Sequence, residues 1–354
     1  MTKVIYNVIG VMSGTSLDGI DLAYITFEKN ETWTFKIHQA ETVKYDHFWN
    51  DLLGKLTSFS PDELREIDKD YTTYLSTIII DFISKNKLKK IDIVCSHGHT
   101  ALHQPNNKLT YQIGNLPIIS KLIGQNVVCN FRVQDVELNG QGAPLVPIGD
   151  EMLFSEYDYC LNLGGFANVS TKINNKRIAF DICPVNIVLN KYARVLGVEY
   201  DNNGTIAQSG EVNKDLLQQL NNLSFYKLDH PKSLGLEWVE TTVFPLIDSF
   251  NLQIKDILST FVEHIAVQIT SILNSKINAT ILVSGGGVYN SFLMSRIKIL
   301  TNNKMLIPDN DIIEYKEALI FGLLGVLKLR NENNCLSSVT GAQKDHSSGN
   351  IFIP

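Results

Sequence analysis

Gly10-Val11-Met12-Ser13-Gly14-Thr15-Ser16-Leu17-Asp18-Gly19-Ile20-Asp21 is the stretch whose reading decides the fold. An apolar, β-branched run from Val4 to Val11 leads into it, and a second, Ile20 to Phe27, leads out. Glycines and small hydroxyl residues between two such runs predict strand, tight turn, strand. The glycines let backbone N–H groups converge on an anion without interference from Cβ. Ser13, Thr15 and Ser16 add hydroxyls, and Asp18 and Asp21 can hold a Mg²⁺ ion directly or through water. Donors and carboxylates on one turn suit a metal-bound nucleoside triphosphate, although an ordinary polar hairpin turn shares the local pattern. Two further glycine turns downstream decide in favour of the phosphate.

At 354 residues the chain exceeds one compact core, so two domains are expected. Its net charge of −6 comes without a basic cluster, which excludes nucleic acid and an anionic membrane as main partners. Cys95, Cys129, Cys160, Cys183 and Cys335 are scattered through mostly apolar runs with no Cys-x-x-Cys pair. That usage fits reduced, packed thiols in a cytoplasmic protein. No secretory leader pattern is evident, and no apolar run approaches membrane-spanning length. A cytoplasmic location with no membrane partner is the expectation.

The order of elements predicts an α/β protein. Strands are expected over 4–12, 20–27 and 34–44, helices over 46–88, and strands over 91–96 and 127–130 around a helix at 118–122. Ser60-Pro61-Asp62-Glu63 is a helix start, with a capping serine, proline at the first position and acids in the first turn. Residues 131–149 contain Gly140, Gly142, Pro144 and Pro147, show little helical periodicity and read as the domain junction. Strand, glycine turn and strand then recur at 159–173, an internal repeat of the opening hairpin. Residues 186–275 read as mainly helical around a polar loop at 201–210. A strand at 281–283, a helix at 289–300 and an apolar closing helix at 317–329 follow. The expected division is 1–145, with the first phosphate hairpin and the sugar-side motifs, and 146–354, with the second hairpin and an adenosine loop. The closing C-terminal segment is allowed to return to the first domain.

Each glycine turn ends a short strand. The second offers open amides at Gly164 and Gly165 between Asn162 and Asn168. In the third, Gly285, Gly286 and Gly287 precede a helix whose N-terminal amides favour a phosphate, while the glycines let an adenosine lie against the backbone. Neither Gly-x-x-x-x-Gly-Lys-Ser/Thr nor Gly-x-Gly-x-x-Gly is present at these turns, so neither a P-loop nor a dinucleotide fold is indicated.

This arrangement resembles the actin–hexokinase–heat-shock-ATPase superfamily and, within it, the anhydro-N-acetylmuramic acid kinase family. The match runs in order along nearly the whole chain. It is carried by residues 10–21, Ser96-His-Gly-His-Thr100 with His103 and Pro105, Gln112-Ile-Gly-Asn115, Phe131-Arg-x-x-Asp135 and Gly140-Gln-Gly-Ala-Pro-Leu-Val-Pro147. Leu161-Asn-Leu-Gly-Gly-x-Ala-Asn168, Phe180-Asp181, Pro184, Pro231-Lys-Ser233 and Thr340-Gly-Ala342 complete it. The resemblance implies two duplicated ribonuclease-H-like (actin/hexokinase-type) domains with an interdomain active-site cleft that closes over its ligands. It implies an ATP- and Mg²⁺-dependent kinase that opens 1,6-anhydro-N-acetylmuramic acid with water and phosphorylates O6, in cell-wall recycling. Self-association also follows from the resemblance alone.

By that resemblance Asp135 is the catalytic carboxylate that activates water. From the residues alone it reads equally as a loop aspartate or as a salt-bridge partner of Arg132. Phosphate contacts fall to Gly14, Thr15, Ser16, Leu17, Asp18, Gly19, Ile20 and Asp21, with Mg²⁺ near Asp18, and to Asn162, Gly164 and Gly165, while Gly285–Gly287 meet the adenosine. Sugar contacts fall to His97, Thr100, Arg132, Gln141, Gly142, Asp181, Lys232 and Ser233. Asp181 reads alternatively as a second metal carboxylate or as a strand-end turn cap, and Lys232 and Ser233 as a solvated loop. His97, His99 and His103 have conceivable zinc-ligand spacing, with contact to sugar or to the cleft wall as the other reading. The chain departs from the family pattern at Asn130, His99, Asn139, Cys183 and Thr260, mostly on the sugar side. A kinase of another amino or anhydro sugar, and a non-catalytic nucleotide sensor of the same fold, are therefore carried as alternatives.

Overall fold

The computed structural model describes residues 3–14 and 17–354, so Thr15 and Ser16 lie outside the described residues. The chain forms two compact units, one of residues 1–154 with 315–354 and one of 155–314. In chain order, the first contributes strands β1 (Ile5–Ser13), β2 (Ile20–Lys29), β3 (Trp33–Val43), β4 (Ile93–Ser96), β5 (His99–Gln104), β6 (Leu109–Ile113) and β7 (Val127–Cys129). The second contributes β8 (Tyr159–Leu163), β9 (Phe166–Ile173), β10 (Lys176–Pro184), β11 (Thr280–Ser284) and β12 (Lys304–Leu306), and β13 (Asn350–Phe352) returns to the first.

The main sheet of the first unit has the order β13-β7-β4-β1-β2-β3, and that of the second β10-β9-β8-β11-β12. In each, an antiparallel meander (β1-β2-β3 or β8-β9-β10) is extended by parallel strands from its first member. This is the ribonuclease-H-like strand order, present twice. The repeat expected from two glycine hairpins thus extends to whole units.

Local signals set the elements where they are strong. Ser60 accepts from the Glu63 N–H while the Glu63 carboxylate accepts from the Ser60 N–H, the capping box that starts Pro61–Lys85. The segment 131–149 is more helical than expected, with short helices at Val133–Glu137 and Pro147–Leu153. The β5–β6 hairpin, β10, β12 and β13 were also not expected. The junction expected at 145 lies ahead of Pro147–Leu153, which stays with the first unit because Gly149 seats directly on Ile320. The helix Ile254–Leu273 is long and apolar enough to cross a membrane by length and composition, contrary to the sequence expectation. Most of it is buried, in the core of the second unit.

The closing helix, Asn310–Leu329, is interrupted at Tyr315 (φ −109°, ψ 15°), the residue at which the chain re-enters the first unit. Beyond it the helix packs against β1 and β4 through small residues. A Cβ at Gly10 would lie 2.0 Å from the Ala318 carbonyl oxygen, and one at Gly325 would lie 2.0 Å from Cys95 Sγ. Gly10→Ala is expected to lower unfolding stability by about 3 kcal/mol, since the clash is with backbone rather than a movable side chain. Urea unfolding of both proteins measures it, and an unchanged midpoint would refute the close approach.

Candidate active site

In the first unit the parallel strands β1, β4 and β7 end side by side, the edge where α/β sheets bind ligands. The His97 N–H donates to the Val11 carbonyl (3.0 Å), fixing the loop after β4 beside the end of β1. After β7, Asn130 turns the chain at φ 59° and delivers Arg132 and the helix bearing Asp135.

Arg132 Nε donates to His97 Nε2 (2.9 Å), and Arg132 Nη1 donates to the Gly142 carbonyl (2.7 Å). His97 Nδ1–H donates to the Gly98 carbonyl (2.8 Å), so the ring is neutral with its lone pair toward the guanidinium. Burial, then the Arg132 charge, holds its pKa well below the usual histidine value. Burial lowers Arg132, opposed by Glu317, Cys335 and Asp135.

Asp135 has no exposed surface. Its Oδ2 accepts from the Gly142 N–H (2.7 Å) and its Oδ1 from the Thr340 hydroxyl (2.7 Å). A Cβ at Gly140 would lie 2.1 Å from Oδ2, so glycine there is a packing requirement. Arg132 and Asp135 are therefore joined through Gly142. His97, Arg132, Gly142 and Asp135 form one hydrogen-bonded chain. Gln141 is exposed and ties in through its N–H to the Thr340 carbonyl, while Thr100 sits half-buried on β5. Glu317 was not anticipated. Its exposed side chain lies on the closing helix, and its charge acts on Arg132. The available signal was an acid heading an otherwise apolar helical run.

The first glycine turn differs in part from expectation. The Ser13 hydroxyl meets Tyr45 Oη (2.6 Å), Tyr71 Oη (3.0 Å) and His99 Nδ1 (2.7 Å). One donor and two acceptors are thereby used, so Ser13 anchors the turn and has no hydroxyl proton to spare for a phosphate. Burial lowers His99 to about 4. Gly19 (φ 146°) is required, because a Cβ would lie 2.6 Å from the Val43 carbonyl. Leu17 also has positive φ (62°), Asp18 is exposed, Ile20 is buried, and Asp21 accepts from Thr42 Oγ1 (2.6 Å). The zinc spacing of His97, His99 and His103 is not realised, since the side chains serve Arg132, Ser13 and Thr110 respectively.

In the second unit the parallel pairing of β8 and β11 sets Asn162 opposite Ser284 and brings the other two glycine turns together. Gly285 and Gly287 are close-packed, against Asn162 Oδ1 and Leu163 Cβ, whereas a Cβ at Gly165 or Gly286 would meet nothing within 4 Å. The helix after the third turn begins at Ser291 rather than directly at the glycines, and its cap takes up one first-turn amide. Gly286–Tyr289 is a 3₁₀ turn, and Ser291–Leu300 is capped by Asn290, which accepts from the Leu293 N–H. Asp181 lies in β10 and accepts at Oδ2 from the Leu234 N–H (2.8 Å), while its own N–H donates to the Lys232 carbonyl (3.0 Å). Burial raises its pKa. Lys232 stacks over Phe225 with its ammonium 4.8 Å from the ring centre. Asp181, Lys232 and Ser233 thus share one loop contact within this unit.

The departures have local reasons. Asn130 and Asn139 occupy left-handed conformations (φ 59° and 64°), which asparagine tolerates better than most residues. Cys183 is buried, and Thr260 accepts from the Asn213 N–H (2.9 Å) and donates to the Asp256 carbonyl (2.6 Å), a loop-fastening role.

Two ribonuclease-H-like units with glycine turns at the ends of their first strands define the actin–hexokinase class of α/β proteins. The family model for anhydro-N-acetylmuramic acid kinase matches residues 6–354, and the chain belongs to that family of phosphotransferases. Anhydro-N-acetylmuramic acid kinase of Haemophilus influenzae is 32% identical, over 97% of each chain. That of Pseudomonas fluorescens is 35% identical, over 97% of this chain and 98% of the relative. Among solved structures, the activator of the 2-hydroxyisocaproyl-CoA dehydratase from Clostridium difficile with bound ADPNP is similar over 90% of this chain and 93% of its own (TM-score 0.45, 16% identity). A ROK family glucokinase from Streptomyces griseus is similar over 90% and 98% (TM-score 0.40, 12% identity).

The depressed histidines make stability depend on pH. His264, fully buried, is lowered to about 3 and His99 to about 4, so the unfolded chain takes up protons near 6.5 that the folded chain refuses. Their stabilising contribution is complete above 6.5 and is lost on acidification, at about 1.4 kcal/mol per pH unit for each. Urea unfolding at pH 7 and pH 5 is expected to show the protein less stable at pH 5. A His264→Gln variant is expected to lose less stability between the two pH values, and an equal loss would refute neutral burial of His264.

Proposed function

We propose that this chain opens 1,6-anhydro-N-acetylmuramic acid with water and phosphorylates O6 with ATP and Mg²⁺, giving N-acetylmuramic acid 6-phosphate in cytoplasmic cell-wall recycling. The carrying observation is the fully buried Asp135 carboxylate, oriented by Gly142 and Thr340 beside the Arg132–His97 pair at the strand ends. Each carboxylate oxygen keeps a lone pair after those bonds. One of them takes the proton of a water attacking the anomeric carbon. The bond from that carbon to O6 breaks, and O6 attacks the γ-phosphoryl group as ADP leaves. Phosphoryl transfer then needs mainly positioning and neutralised charge.

The phosphates are assigned to the turn from Gly14 to Asp21, including Thr15 and Ser16, and to Asn162, Gly164 and Gly165. The open faces of Gly165 and Gly286 suit a flat or anionic group against the backbone. The exposed Asp18 carboxylate fits a hard cation's demand for oxygen donors, and Mg²⁺ there would neutralise phosphate charge. Sugar contacts are assigned to His97, Thr100, Arg132, Gln141, Gly142, Asp181, Lys232 and Ser233. Self-association, as a homodimer, belongs to this reading through the family. No particular observation favours a different sugar or a turnover-free sensor.

The test is ADP release with ATP, Mg²⁺ and the anhydro sugar in ¹⁸O-water. The expected product is heavier than the sugar by one phosphate and one labelled water. Asp135→Asn is expected to slow turnover by about 10²–10⁴-fold while ATP still binds and the melting curve stays cooperative. A folded variant with normal turnover would remove Asp135 from the base role.

A further inference from the structure

Cys335, expected only as a reduced, packed thiol, and His346, part of no sequence expectation, come from the returning C-terminal segment. They form an antiparallel bridge: the Cys335 N–H donates to the His346 carbonyl (3.1 Å) and the His346 N–H to the Cys335 carbonyl (3.3 Å). Directly opposed residues project their side chains to the same side. Here both are buried, and one ligand atom each from Asp135, Cys335 and His346 lies within 4.8 Å of the others. His346 Nδ1–H donates to the Lys344 carbonyl (3.0 Å), which leaves Nε2 as the lone-pair nitrogen of the neutral ring. That nitrogen is buried, has no hydrogen-bond partner, and stands 3.6 Å from Asp135 Oδ1. Two acceptors facing each other away from water are unfavourable unless a proton or a cation lies between them.

We propose that Asp135 Oδ1, Cys335 Sγ and His346 Nε2 form a binding site for a thiophilic divalent cation of the zinc class. Tetrahedral zinc places its ligand atoms about 3.3–3.6 Å apart, close to the separation already present between oxygen and nitrogen. An imidazole fixed through its other nitrogen by a backbone carbonyl is the usual posture of a metal-binding histidine. Thiolate and imidazole together select zinc, cobalt or cadmium over magnesium. Asp135 Oδ1 keeps the Thr340 bond on one lone pair and gives the other to the cation. The Cys335 thiol gives its proton to the buffer on binding. A cation on Asp135 draws away the electrons that would take a proton from water, so the site inhibits the kinase. This consequence, unlike the site itself, rests on the base role proposed above.

Cobalt(II) titrated into the full chain reads the site without turnover. The expected result is one bound equivalent with a thiolate-to-cobalt charge-transfer band, absent in Cys335→Ala. Affinity is expected to be about a hundredfold weaker in His346→Gln. Zinc in the ADP-release assay, with Mg²⁺ and ATP in excess, is expected to inhibit the wild type at concentrations about a hundredfold below those needed for Cys335→Ala. Cobalt uptake without the thiolate band, or no uptake, would overturn the site. A thiolate band with unimpaired turnover keeps the site and overturns Asp135 as the base.

Discussion

A carboxylate without exposed surface persists in a folded chain only where donors replace its lost water, and Asp135 finds its donors on two distant stretches. Gly142 lies in the adjoining loop, but Thr340 comes from the returning C-terminal segment. The two stretches are stitched together around that carboxylate. The Gln141 N–H donates to the Thr340 carbonyl, the Gln343 N–H to the Leu138 carbonyl, and Ser348 Oγ to the Phe131 carbonyl. Asn334, fully buried, ties the returning segment to itself and to the closing helix through the Ser348 and Leu324 carbonyls. The return of residues 315–354 to the first unit is thus a condition for the geometry around Asp135.

Legibility in the sequence follows the range of the interaction. The β1–turn–β2 hairpin and the Ser60 helix start rest on neighbours within a few residues, and both were readable. The β5–β6 hairpin is not legible because β5 holds two histidines and is followed by Pro105, leaving little apolar alternation to mark a strand. Three-residue strands such as β12 and β13 carry too little pattern, and their partners are fixed by the sheet already formed. The grouping of His97, Arg132 and Asp135 was legible only through family motifs. Their convergence on Cys335 and His346, some two hundred residues on, has no local signal. Gly10 and Gly325 could be read as neither turn nor phosphate residues, because the bulk they make room for belongs to a helix and strand remote in sequence.

The sequence departures from the family pattern are explained by backbone and packing. Asn139 stands where the family has glycine, and its φ of 64° is a glycine-like requirement that asparagine meets at modest cost. Asn130 meets a similar demand just after β7. His99 bonds Ser13 at the end of β1. Substitutions of this kind bear on how the backbone and packing around Arg132 and Asp135 are held.

Gly142 links Asp135 and Arg132. Its N–H faces Asp135 and its carbonyl faces Arg132, so one residue sets the separation between a buried anion and a buried guanidinium. Pointing both groups inward takes a φ of 68°, and a side chain there would strike Val136 Cγ2 at 2.9 Å. Arg132 spends its Nε on a neutral histidine rather than on a carboxylate, so its charge is not cancelled by a hydrogen-bonded anion. Asp135 is held by two neutral donors, the Gly142 N–H and the Thr340 hydroxyl. A direct Arg132–Asp135 ion pair would have satisfied both groups more simply and left neither available. The glycine between them keeps the two charges adjacent without pairing them, which accounts for the glycine on the far side of Gln141 in the Gly-Gln-Gly run.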